Sequence, residues 1–176
     1  TGQMVEFPDT VVCTPFDKVL PSIQQGTTNV AMIRFNMKTT NSWAPWSAVK
    51  VKRLGDSRDE DIDLVKIARD NGNGEFNIAD DIIIGSGTFN NHGVPGEVDI
   101  RFSTWPVDYT QLISTYTQYF YVVYDFADTA VPDFYIGASF ESAGKFNALG
   151  SVFISDPNTM STAIFPYETV TALIIA

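Results

Sequence analysis

Cysteine and histidine are nearly absent: one of each occurs in 176 residues. That excludes paired-thiol chemistry and most Cys/His metal sites. Charge is sparse, at 18% of residues, and one sign is scarcer still. Eleven Lys and Arg stand against 21 Asp and Glu, for a net charge of −10. A general nucleic-acid binder needs a basic face to displace counterions, so that class is excluded. Docking on anionic lipid is disfavoured for the same reason. No apolar run approaches the roughly 20 residues that span a bilayer as a helix, so no membrane insertion is expected. Helical periodicity is also missing, because no long window keeps apolar residues at i, i+3, i+4 and i+7 with caps. No Asn-x-Ser/Thr acceptor occurs. The chain opens on Thr1 without a basic and then apolar leader, so any signal peptide is expected to have been removed.

What the chain has is β signal and aromatic bulk, with 13 Phe, 7 Tyr and 3 Trp. The stretch Val30–Met37 alternates and points Ala31, Ile33, Phe35 and Met37 to the core. Val49 and Val51 alternate with Lys50 and Lys52; Val98, Ile100 and Phe102 alternate with Asp99 and Arg101. Val49, Val51, Ile67, Val98, Ile100 and Phe102 are therefore predicted to be buried, and Lys50, Lys52 and Arg101 exposed. Further strands read at Ile62–Ile67, Ile82–Ile84, Phe134–Phe140, Ser151–Ile154 and Thr169–Ile175. Gly/Asn/Asp/Pro clusters separate them at intervals suited to an all-β protein. One weak helical signal lies at Asp108–Ser114. The predicted fold is an antiparallel Ig-like or jelly-roll β-sandwich of about 8–11 strands with little helix. Residues 21–176 form the sandwich, and 1–20 are either its first strand or an extension exchanged between subunits.

Four features bear on chemistry. Tyr119–Phe126 is apolar on both faces, which fits a central strand under a covering loop or a strand facing another subunit. Cys13 reads as a small buried apolar residue; a dyad with His92, in the turn Asn90-Asn91-His92-Gly93, is the disfavoured alternative. Trp43, Trp46 and Trp105 are candidates for a sugar-binding platform, or for rings that cap the core. The cluster Asp56-Ser57-Arg58-Asp59-Glu60-Asp61 reads as a solvated loop.

The strongest chemical signal runs from Asp70 to Asp81. It gathers Asp70, Asn71, Asn73, Glu75, Asn77, Asp80 and Asp81 around Gly72 and Gly74. Ca²⁺ takes six to eight oxygen ligands of this kind, and the glycines let the backbone wrap an ion. The EF-hand spacing is not met. Counted from Asp70, the third and fifth positions are Gly72 and Gly74; counted with Gly74 sixth, the first position falls on Arg69. A Gly/Asn hairpin with solvated acids, or another ion, fits the same residues.

Taken in order, several pieces resemble a known group. They are Gln25-Gly26-Thr27 leading into Val30–Phe35, Asp59-Glu60-Asp61-Ile62 before Val65-Lys66-Ile67, the stretch Asp70–Asp81, Ile84-Gly85-Ser86-Gly87-Thr88-Phe89, and Tyr121-Val122-Val123-Tyr124-Asp125. Over residues 20–140 the chain resembles the β-sandwich modules repeated in large secreted and cell-surface proteins of prokaryotes. The resemblance implies an extracellular, non-enzymatic structural or adhesive role, with Ca²⁺ in the acidic loop. A module with strand-like ends further implies copies of itself as partners, in a surface layer or pilus-like filament joined through Thr10–Cys13 or Val170–Ile175. A carbohydrate-binding or adhesion module, with glycans as partners, is the alternative.

Overall fold

A computed structural model describes residues 10–16, 23–90, 93–102, 112–132, 134–140, 142 and 144–148, and the backbone of 17, 143, 151–154 and 168–169. Trp105, His92 and the run Val170–Ile175 lie outside the described residues. The protein is an all-β sandwich, with no α-helix among the described residues. The strands are β1 (Thr10–Asp17), β2 (Val30–Thr39), β3 (Ala44–Gly55), β4 (Ile62–Arg69), β5 (Ile82–Gly87), β6 (Glu97–Arg101), β7 (Leu112–Ile113), β8 (Gln118–Phe126), β9 (Tyr135–Ser139), β10 (Phe146–Ala148), β11 (Ser151–Ile154) and β12 (Glu168–Thr169). Leu112–Ile113 pairs with the start of β3, so the weak helical signal does not reach these two residues.

One sheet runs β11-β1-β2-β8-β4-β5. The other is built around β3, which pairs along its length with β6, β7, β9 and β10, while β12 pairs with β9. Among the described strands all pairings are antiparallel except β1 with β11, which is parallel. Where the first sheet ends at β5, Gly85 lets it close on β6. A Cβ there would lie 2.7 Å from a Phe102 ring carbon and 2.9 Å from an Ile100 methyl.

The core between the sheets is aromatic at its centre. Trp46 meets Phe102, Phe120 and Phe35 edge-on, at 4.5, 5.1 and 5.9 Å between ring centroids. Edge-to-face contact is the favoured geometry for rings, beyond the area they bury. Val49, Val51, Ile67, Val98, Ile100 and Phe102 are all buried, as their alternation requires. Lys52 and Arg101 are exposed; Lys50 points outward but is half-covered by its ion pair with Glu97.

Bulges shift two of the predicted faces. In β2 the register slips between Ala31 and Ile33. Met32 therefore enters the core, and Ala31 packs on the outside against the cluster of Ala68, Tyr121 and Val123. One extra residue in a strand inverts the alternation on one side of it. In β3 a register shift opposite Asn147 and Ala148 lets Trp46 share the core face with Val49 and Val51.

Candidate functional site

The acidic segment Asp70–Asp81 joins β4 to β5 and folds back over the outer face of the first sheet. Its anchor is β8. Phe120, Val122, Tyr124 and Phe126 fill the main core, while Tyr121 and Val123, also fully buried, belong to a second cluster on the outer face. Phe76 packs on that cluster, with its ring 5.5 Å from Tyr121. The strand apolar on both faces is thus a central strand, covered on its outside by this chain's own loop.

Short-range side-chain-to-backbone bonds shape the loop. Asp70 Oδ1 accepts the N–H groups of Gly72 and Gly74. Asp81 accepts the N–H of Asn71 at one oxygen and of Asn77 at the other, both at 3.0 Å. Asn71, Asn73 and Asn77 each accept the N–H two residues on, the turn habit of asparagine. Asp80 accepts from the Asn77 amide and is exposed, as are Asn71, Asn73, Glu75 and Asn77. Only Asp70 and Asp81 are withdrawn from water, each 8% exposed.

Two residues outside the acidic stretch complete the site. The Tyr121 hydroxyl donates to Asp70 Oδ2 at 3.1 Å. Burial, and then this bond to a carboxylate, push the phenol well above its ordinary range. The Arg34 guanidinium lies 4.3 Å above the Tyr119 ring, and a Cβ on Gly74 would come within 3.3 Å of it. Arg34 Nε is buried without a hydrogen-bond partner. Neither residue stands out by spacing. Tyr121 was marked only by its place on the second apolar face of β8. Beside the loop a groove of about 430 Å³ runs between Thr27–Ala31 and the side chains of Glu75, Phe76 and Tyr121.

The donor set is all oxygen, as a hard cation requires. A carboxylate oxygen holds two lone pairs. Asp70 Oδ2 and both Asp81 oxygens accept one bond each and so retain capacity. No Lys or Arg forms an ion pair with either carboxylate among the described residues. Nor do three or more His, Cys, Asp or Glu side chains gather as a metal-binding group among them. Any ion would rest on these two carboxylates together with amide and backbone oxygens. The residues fit Ca²⁺ in kind and in charge.

The second acidic cluster is solvated only in part: Asp56, Arg58 and Glu60 are exposed, Asp59 is half-buried, and Ser57 and Asp61 are buried. Asp59 receives Arg53 Nε at 3.0 Å and the Gly96 N–H. Asp56 receives the Tyr135 N–H, and Asp61 is 1% exposed. Gly96, Val131 and Tyr135 reach these acids from far along the chain, which local composition does not reveal. Cys13 is buried in the core, and burial pushes its thiol far above the normal range, which makes it chemically inert. Trp46 belongs to the core and Trp43 is exposed, so these two rings do not form one platform.

No protein-family model matches the chain, and no curated protein matches its sequence.

Proposed function

We propose that the chain is a non-enzymatic structural subunit of an extracellular or cell-surface assembly. Copies of it join by exchanging a peripheral strand, and the acidic loop carries Ca²⁺. The observation behind this reading is the setting of β1. It pairs with β2 in unbroken register from Val11 to Asp17 and with β11 over only four residues. It lends Val11, Cys13 and Pro15 to the buried side, while Val12 and Thr14 are half-covered. A strand near the sheet edge that completes the core can be replaced, in the same register, by its equivalent from another copy. Such strand addition satisfies the backbone and buries the apolar side chains together.

Electron microscopy of the purified protein is expected to show ordered fibres or sheets. Deleting residues 1–17 is expected to abolish them, and a synthetic peptide of residues 10–17 should bind the truncated chain and raise its melting temperature. Full-length protein that stays monomeric at high concentration, or assembly unchanged by the deletion, contradicts the proposal.

When bound, Ca²⁺ supplies positive charge to two carboxylates that have no cationic partner among the described residues. An ion held only by the folded state stabilises it by about 2.7 kcal/mol at a hundredfold excess over Kd. For a chain of this size that corresponds to roughly 5–10 °C in melting temperature. Adding EDTA is expected to lower the transition by that order, and Asp81→Asn to remove the response. Melting curves that coincide with and without Ca²⁺ after exhaustive chelation contradict this part.

A further inference from the structure

We infer that the protein carries a binding platform for neutral polysaccharide at one end of the sandwich, formed by Trp43 and Tyr116. Trp43 is 61% exposed and Tyr116 is 81% exposed. They sit on two turns, the β2–β3 turn and the β7–β8 turn, that the topology holds side by side. Ala44, next to Trp43, pairs with Ile113, three residues before Tyr116. The Thr39 N–H donates to the Ser114 carbonyl at 2.8 Å, joining the two turns directly.

Each turn is also fixed internally. The Thr39 hydroxyl donates to the Ser42 carbonyl across the β2–β3 turn. In the other turn, the Tyr116 N–H donates to the Ser114 hydroxyl and the Ser114 N–H to the Gln118 side chain. The rings are thus presented by ordered backbone, which lowers the entropy lost on binding.

The surroundings select the ligand. The segments 39–49 and 112–124 contain no Asp, Glu, Lys or Arg, in a chain that has 32 such residues. Thr40, Asn41, Ser42, Thr115 and Thr117 are exposed beside the rings. Among the described residues, the large aliphatic side chains that are exposed, Ile78, Ile82 and Val94, belong to other segments. Aromatic faces set among the hydroxyl and amide groups of these two uncharged segments suit a pyranose. A sugar ring offers C–H groups to an aromatic face and hydroxyls to the polar rim. A protein interface core would add aliphatic contacts, and an anionic glycan would need cations. Of the three tryptophans that the sequence offers as platform candidates or core caps, Trp43 takes part here and Trp46 is in the core.

The test is affinity electrophoresis in gels containing soluble neutral polysaccharides, namely hydroxyethylcellulose, mixed-linkage β-glucan, galactomannan and mannan, with alginate as the anionic comparison. At least one neutral polymer is expected to retard the full chain. Trp43→Ala and Tyr116→Ala should each weaken retardation by roughly tenfold, as for an anchoring side chain. Tyr135→Ala, an exposed ring elsewhere, should leave it unchanged. Both platform residues are exposed, so circular dichroism melts of the variants should match the parent. Three results would each overturn the inference: no retardation on any neutral polymer, retardation only on alginate, or retardation that survives the double substitution. So would loss of assembly in the variants with glycan retardation intact, which would make the patch a contact between copies.

Discussion

Trp46→Ala is expected to destabilise the protein by about 3–5 kcal/mol, the cost typical of removing a large buried aromatic. The ring is fully buried and touches Phe35, Phe102, Phe120 and Phe146. Those neighbours come from β2, β8, β10 and the end of β6, so no single strand can move to refill the space. Trp46 Nε1 also donates to the Ala48 carbonyl at 2.9 Å, at the bulge that turns this ring inward. Its loss removes that donor from a buried carbonyl, which adds to the cavity term. Total stability of a domain is of order 5–15 kcal/mol, so this one change removes a large share. Urea titration followed by circular dichroism measures it. A loss under about 1 kcal/mol with an unchanged slope would mean that the ring is not central. Trp46→Phe keeps most of the volume and should cost clearly less.

Asp61→Asn is expected to cost about 2–3 kcal/mol at neutral pH and to blunt the acid sensitivity of the fold. The carboxylate caps a short 3-10 turn, Asp59–Asp61, and is 1% exposed. Burial by itself would raise its pKa. Hydrogen bonds from the Arg58 guanidinium at 2.9 Å, the Arg58 N–H at 2.7 Å and the Val131 N–H at 3.1 Å outweigh burial and hold it below the ordinary range. The Asp61 carbonyl meanwhile accepts the Ala127 N–H, so the residue ties the β3–β4 connection to the segment after β8. Glu97 is shifted in the same direction, first by its bond from Lys145 and then, against burial, by Lys50.

A carboxyl whose pKa is lower folded than unfolded contributes its stability in full above the unfolded value, near 4. That contribution is lost as pH falls through the lower, folded value. Thermal melts should therefore vary little from pH 7 to 5 and fall steeply below about pH 4. Protonation also relieves the repulsion of a chain with net charge −10, which acts in the opposite sense. The comparison with Asp61→Asn isolates the specific part. If the variant keeps the same acid limb as the parent, Asp61 does not carry it.

Much of the architecture was legible in local pattern. The alternation of Val49 and Val51 with lysines, and of Val98, Ile100 and Phe102 with Asp99 and Arg101, could satisfy only a strand with one wet face. The apolar run Tyr119–Phe126 likewise required cover on both sides. What was not legible depended on partners far along the chain. Asp61 reads as one more acid in a hydrophilic cluster until Val131 and the buried turn supply its donors. Asp70 reads as a loop acid until Tyr121, 51 residues away, places a hydroxyl on it. The face that Met32 and Ala31 take follows from a bulge, which exists only relative to the neighbouring strand.

By itself, then, the sequence determined that the fold is all-β, where most of the described strands lie, and which side chains in each regular stretch seek the core. Those are consequences of a two-residue period and of local turn chemistry. Only the tertiary structure decided that Trp46 is core while Trp43, three residues earlier, faces water on a turn bonded to the one that carries Tyr116. Among the described strands it alone set β1 between β2 and a parallel β11, and laid the acidic loop over Tyr121 and Val123. Each of these rests on pairing and packing between segments dozens of residues apart, where the choice of neighbour decides what a side chain meets.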